Sequence, residues 1–185
     1  MKRTLFPGYS VGTDAYEDIK EICPSYGKKA AIIGGRHALA AAQDKIIAAA
    51  KEAGIETVGP FWYGGEASVE NIEMLKPKVA DADMIFAVGG GKAIDTCKVL
   101  SHSTDRPFFT FPTIASTCAS CTSLGILYHP DGSLREYSFS KIPPKHIFID
   151  TGIIADAPDK YLWAGIGDTI AKHYECTVSS RGDIP

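Results

Sequence analysis

Short apolar runs that stop in glycines and give way at once to helical stretches set the strongest constraint on how this chain folds. The stretch VGGGKAIDTCKVL, Val88 to Leu100, is the sharpest case. Met84 to Val88 is short, apolar and β-prone, while Lys92 to Ser101 contains few helix breakers. Three consecutive glycines stand between them. Glycine loses more conformational freedom on folding than any other residue, so a triplet needs a reason. Strand, glycines and helix in that order let a backbone pass close to a phosphate, with a helix N-terminus pointing at it. KKAAIIGG, Lys28 to Gly35, has the same order: a buried strand ends in glycines before a helix over His37 to Gly54. The apolar positions of that helix recur at three and four residues, and Gly54 suits the position just past its end.

The alternation continues along the chain. IETVGPFW, Ile55 to Trp62, gives a second strand. Ser68 is placed to cap a helix over Val69 to Ala82, with Glu70 and Glu73 near its positive end and Pro77 disturbing its middle. PFFTF (Pro107 to Phe111) and HIFID (His146 to Asp150) are further strands, and the segment from Ile126 to Phe139 reads as a hairpin turning at Pro130 to Gly132. From Asp156 a helix start leads into an amphipathic helix running to the end of the chain. Strands alternating with helices at this spacing predict an α/β fold: a mostly parallel, Rossmann-like sheet with helices on both faces.

Bulk properties remove several classes of function. The chain has 185 residues, enough for one domain with a sizeable core, and its formal net charge is −3. Without a strong basic cluster, neither nucleic acid nor an anionic membrane surface is expected as a partner. No apolar run approaches the ~20 residues of a membrane-spanning helix, and the N-terminus lacks the apolar core of a signal peptide. Five cysteines form an odd set in a chain of this size, and reduced thiols in a cytoplasm are the simpler reading. The terminal helix has nothing after it to pack against, so the expectation is one domain of a larger protein.

Three stretches could carry chemistry. Around Gly89, Gly90 and Gly91 neither standard nucleotide motif is complete. G-x-G-x-x-G fails at Ile94, and a P-loop fails because Ala93 follows Lys92. What remains is an anion site built from backbone N–H groups, a helix N-terminus and Lys92; the alternative is a tight turn with Lys92 in solvent. Asp95 and Lys98, three apart on one helix face, read otherwise as a plain surface pair. The loop PTIASTCASCTS crowds Thr113, Ser116, Thr117, Ser120 and Thr122 behind a buried strand. Ligands sit beyond the carboxyl ends of strands in open α/β sheets, so the two loops would wall one cleft. The alternative is a loop whose hydroxyls satisfy its own backbone. Cys118 and Cys121 form a C-x-x-C, with a redox or metal role on one reading and two small buried side chains on the other. Asp168, after Gly165 and Gly167, would serve the helix dipole or hold a metal. His173 lies five residues on, on another side, and Lys172 is the in-register neighbour.

Four stretches, GGGKAIDTCK, FPTIASTCASCTSLGILYHPDGS, IDTGIIADAP and YLWAGIGDTIAKHYE, together resemble the iron-containing alcohol dehydrogenase superfamily, most closely its glycerol dehydrogenase branch. The resemblance covers nearly the whole chain, as the N-terminal domain. It implies a dehydroquinate synthase-like N-terminal fold, with residues 1–158 binding the dinucleotide and 159–185 opening a helical metal-binding domain whose remainder is absent. It also implies NAD or NADP, with the pyrophosphate near Gly90, Gly91 and Lys92. Asp95 matches the acid of that motif, and Thr113, Ser116, Thr122, Leu124 and Tyr128 match positions lining the cofactor. Asp168 matches the carboxylate that holds a catalytic divalent metal, zinc or iron, whose further ligands are two histidines of the absent domain. The implied activity is NAD(P)-dependent oxidation of a polyol or small alcohol, by a homo-oligomer when full length, the present chain being inactive alone.

Two positions depart from that pattern. Cys118 stands where glycerol dehydrogenases carry an aspartate that contacts the polyol. GGRHA, Gly34 to Ala38, offers no acid where many NAD-binding members have one, and Arg36 and His37 tolerate a 2′-phosphate. The alternatives are a glycerol-1-phosphate dehydrogenase-like enzyme, which Lys172 after Asp168 favours, and a non-catalytic nucleotide-binding or oligomerisation domain.

Overall fold

The structure, a computed structural model, describes residues 6–140 and 142–180. Its frame is a parallel sheet of β1 (Gly8–Gly12), β2 (Lys29–Gly34), β3 (Glu56–Trp62), β4 (Met84–Gly89), β5 (Phe108–Pro112) and, after a separate antiparallel hairpin of β6 (Leu124–Tyr128) and β7 (Leu134–Phe139), β8 (His146–Asp150). The spatial order is β1-β8-β5-β4-β2-β3. The helices are α1 (Ile19–Ile22), α2 (Arg36–Glu52), α3 (Val69–Leu75), α4 (Gly91–Thr104), α5 (Thr151–Ala155) and α6 (Asp159–Ser179).

β4 shows why the central strands read as unbroken apolar runs. Met84, Phe86 and Val88 enter a core with Leu39, Ala42 and Ile46 of α2. Ile85 and Ala87 enter a second core with Ile72 of α3 and Ile94 and Leu100 of α4. A strand covered on both faces has no place for polar residues. The first core holds a file of aromatic rings, with Phe86 and Phe111 5.0 Å apart and Phe111 and Phe148 stacked at 4.9 Å.

The connections create one reversal. From β2 the chain passes through α2 to the edge strand β3, then returns through α3 to place β4 on the other side of β2. The helices that follow β2 and β4 therefore lie on opposite faces, α2 with the first core and α4 with the second. A crevice opens between the carboxyl ends of two such strands.

Local signals hold with adjustments. The Ser68 hydroxyl accepts the Asn71 N–H at 3.3 Å, as a helix cap does. Pro77 has no N–H to continue the α-helix, which stops at Leu75 and tightens into a 3-10 turn over Lys76–Val79. β1 was not foreseen. Its five residues are bounded by glycines and mostly exposed, so no alternating pattern marks them. Its anchor is Ser10, whose hydroxyl donates to the Asp18 carboxylate and lies 2.8 Å from the His146 ring nitrogen. α6 buries no residue, and Leu162, Ile166, Ile170, Tyr174 and Val178 lie exposed at four-residue intervals. Its expected continuation over 181–185 falls outside the described residues. Among the described residues, no helix is long and apolar enough to cross a membrane.

Phe86→Ala should remove the centre of the aromatic file and cost about 3–5 kcal/mol in urea unfolding. A loss below about 1 kcal/mol would contradict this packing.

Candidate functional site

The three glycines between β4 and α4 sit in different surroundings. Gly89 sits at φ +138, a conformation that side-chain-bearing residues rarely adopt. Gly90 has an ordinary backbone, but a Cβ there would lie 2.5 Å from the Ile114 side chain. Gly91 passes the hydroxyl loop, where a Cβ would lie 3.5 Å from Thr117 Oγ1. Gly90 is also the N-cap of α4 and brings no side chain to its first turn. The N–H groups there lack intrahelical partners and carry the positive end of the helix dipole.

Gly90 stands at a cleft of about 870 Å³ above the β2/β4 reversal. Gly35, Arg36 and Trp62 line one side, Gly90, Thr113 and Ile114 another, and Ile153 and Tyr161 close it. The Arg36 guanidinium lies 4.5 Å over the Trp62 ring. The volume suits a cofactor-sized ligand. A second hollow, of about 590 Å³, lies at the amino ends of the strands among Tyr26, Arg106, Pro107 and Lys145. It has no glycine loop and no helix N-terminus.

Lys92 is not alone in solvent. Its ammonium lies 2.6 Å from Glu66 Oε2 and 5.6 Å from the Tyr128 ring centre. Glu66 also accepts the Ala67 N–H at 3.1 Å. Lys92 remains more than half exposed, so this pair is weak and exchangeable. Nothing in the sequence marked Glu66, which reaches the site from a loop 26 residues earlier.

The reading of Asp95 and Lys98 as a surface pair is overturned, since both are buried. The Lys98 ammonium donates to Asp95 Oδ1 at 2.9 Å, Thr122 Oγ1 at 3.1 Å and the Leu124 carbonyl at 2.7 Å. Asp95 Oδ2 accepts the Ile126 N–H at 3.3 Å. Burial pushes the Asp95 carboxyl above its ordinary range, against the pull of the Lys98 ammonium. The five residues form a strut between α4 and the base of the hairpin. They sit behind the hydroxyl loop.

The expected site residues therefore fall into groups. Gly90 and Thr113 line the main cleft, and Gly91 and Ser116 line a narrow crevice between the two loops. Lys92 and Tyr128 meet beside Glu66, while Asp95, Thr122 and Leu124 belong to the strut. Cys118 is exposed at the start of a 3-10 turn, Cys118–Ser120, which overturns the reading of two buried cysteines. Asp168 lies on α6, three residues after Gly165, whose backbone abuts the Ala115 carbonyl. That spacing puts Asp168 on the face nearest the hydroxyl loop. Its carboxylate is 3.4 Å from the Lys172 ammonium. No group of three histidine, cysteine or acidic side chains among the described residues could hold a metal.

Residues 7–151 match the family model described as iron-containing alcohol dehydrogenase. The chain belongs to that family. A glycerol dehydrogenase from Escherichia coli is 35% identical over 179 residues, which are 95% of this chain and 48% of that protein. A glycerol-1-phosphate dehydrogenase [NAD(P)+] from Methanoculleus marisnigri is 32% identical over 88% of this chain and 44% of its own length. The crystal structure of glycerol dehydrogenase from Schizosaccharomyces pombe superposes with a TM-score of 0.82 at 31% identity, over 92% of this chain and 44% of that one. The chain thus spans about half the length of the curated relatives it matches, and its fold is that of the family's N-terminal α/β domain.

Lys98→Met should leave the Asp95 carboxyl buried without its partner and cost about 3–5 kcal/mol in denaturant unfolding. A neutral effect would show that the strut carries no weight.

Proposed function

We propose that this chain supplies the cofactor-binding half of an NAD(P)-dependent, metal-dependent dehydrogenase of a polyol or small alcohol. Residues 1–158 form the dinucleotide-binding part, and 159–185 begin a helical metal-binding part. The observation that carries the reading is the uncapped N-terminus of α4 opening, through the side-chain-free Gly90, into a cleft at the sheet's reversal. N–H groups of Gly91 and Lys92 donate to a pyrophosphate there, and the Lys92 ammonium exchanges Glu66 for the incoming phosphate. Thr113 and Ser116 present hydroxyls from the opposite wall. Asp95, Thr122 and Leu124 act through Lys98 by holding that wall in place, and Tyr128 flanks Lys92. Arg36, on the rim and without an acid beside it in the sequence, can carry a 2′-phosphate, so the reading covers NAD and NADP.

For a metal, the described residues offer Asp168, whose neighbour Lys172 competes for its carboxylate. One carboxylate is too small a donor set to retain zinc or iron. Asp168 is proposed as one ligand, completed by residues outside those described. A divalent ion held there would lower the pKa of a bound alcohol and ready its carbon for hydride loss. Cys118 would face the substrate side of the cleft and, lacking a carboxylate, would bind vicinal hydroxyls less well than an acid. Five free thiols fit a reducing, cytoplasmic setting.

A glycerol-1-phosphate dehydrogenase-like activity is the second reading. Lys172, at 3.4 Å from Asp168, favours it by placing a cation where an anionic substrate would lie.

The test of the first reading is NADH fluorescence titration of the chain and of Gly90→Val, a change its backbone conformation tolerates. The chain should bind, and Gly90→Val should weaken binding about tenfold or more, which is about 1.4 kcal/mol. Equal affinities would place the dinucleotide elsewhere. Asp168→Asn should leave NADH affinity within about twofold and, in a full-length protein, abolish metal-stimulated oxidation of 1,2-propanediol. Full activity of that variant would remove Asp168 from the metal site.

A further inference from the structure

Cys118 and Cys121 form a C-x-x-C whose pairing the dinucleotide site does not use. Both thiols are free, with Cys118 exposed and Cys121 half-buried. Cys118 opens the 3-10 turn Cys118–Ser120 and Cys121 follows it, while the N-cap Thr117 accepts the Ala119 N–H. The Cys121 N–H donates to the Cys118 carbonyl at 3.1 Å, which closes a tight turn and brings the two Cα atoms within about 7 Å. A disulfide needs about 4.4–6.8 Å between them. The Cys121 thiol also points back along the turn, donating to the Cys118 carbonyl at 3.1 Å. The turn therefore holds the two cysteines at a backbone separation that a disulfide can span.

We propose that Cys118 and Cys121 are a modification site, a dithiol that hydrogen peroxide closes to a reversible disulfide beside the glycine loop. Cys118, the exposed thiol, reacts first. Its sulfur attacks one peroxide oxygen, the O–O bond breaks, and one water leaves, so Cys118 becomes a sulfenic acid. The Cys121 sulfur then attacks the Cys118 sulfur, the S–O bond breaks, and a second water leaves. The two thiol hydrogens end in the two waters. Two electrons pass from the sulfur pair to the peroxide, and a small dithiol reverses the reaction. Burial raises the Cys121 thiol above its ordinary pKa, which suits the residue that resolves rather than the one that attacks peroxide.

The turn is not an isolated surface loop. Gly91 packs against it, with Thr117 Oγ1 and Ala119 Cβ as the atoms nearest its face. The Thr110 hydroxyl, in the middle of β5, donates to the Ser120 carbonyl at 3.0 Å. Drawing the two sulfurs together tightens the segment that faces the pyrophosphate loop. This consequence, unlike the disulfide itself, rests on the dinucleotide reading.

Two measurements test the proposal separately. After hydrogen peroxide treatment and alkylation, peptide mass spectrometry should find the Cys118–Cys121 fragment lighter by two hydrogens and unalkylated, with alkylation restored by dithiothreitol. Cys121→Ser should instead trap a sulfenic acid on Cys118. Two alkylated thiols, or sulfinic acid on Cys118 of the unaltered chain, would overturn the disulfide. NADH titration should then show binding weakened at least about fivefold in the oxidised chain and restored by dithiothreitol. The Cys121→Ser chain, not peroxide-treated, should match the reduced wild type. A disulfide that leaves NADH affinity unchanged would overturn the coupling. Failure of the reduced chain to bind NADH would contradict the dinucleotide reading and the coupling with it, leaving the disulfide to the mass measurement.

Discussion

The Lys98 ammonium, wholly buried, reaches three oxygens, from Asp95 of α4, Thr122 of the hydroxyl loop and Leu124 of β6. An ammonium in that position is tolerable only if its donors are used, so the chain on either side is held to a narrow geometry. Asp95 completes the arrangement by accepting the Ile126 N–H of β6. Gly125 fits beside it, where a Cβ would lie 3.6 Å from the Asp95 carbonyl. The helix that carries the glycine loop at one end thus carries, two turns on, the clamp for the loop that faces it. These bonds tie α4 to the chain on the far side of that loop.

The sheet supplies the rest. Burial on both faces of β4 fixes α2 and α4 on opposite sides, and the reversal between β2 and β4 leaves their carboxyl ends uncovered. Helix N-termini point to that edge, and with them the uncompensated N–H groups. The hollow at the opposite edge is also sizeable but lacks these features. Volume alone does not distinguish the two, whereas the direction of the backbone dipoles does.

Apolar runs and glycine punctuation carried much of this into the sequence. Five of the sheet's six strands, the Ser68 cap and the hairpin at Pro130 to Gly132 follow from local patterns of two to eight residues. β1 did not, because an edge strand with Tyr9 and Val11 exposed has no buried face to impose alternation. The contacts of the site were less legible. Lys92 and Glu66 lie 26 residues apart, and only the fold brings them together. Asp95 and Lys98 have the spacing of any helical surface pair, and their burial depends on where the hairpin lands. The cysteine pair was visible as a motif, but its exposure was not.

Backbone amide NMR during titration with NAD⁺ tests the central claim most directly, because it reports where a ligand lands without requiring turnover. The account predicts shifts concentrated at Gly35, at Gly89 to Lys92 and at Thr113 to Ser116, the carboxyl edge of the sheet. Shifts concentrated instead at Tyr26, Arg106 and Lys145, on the amino edge, would contradict it.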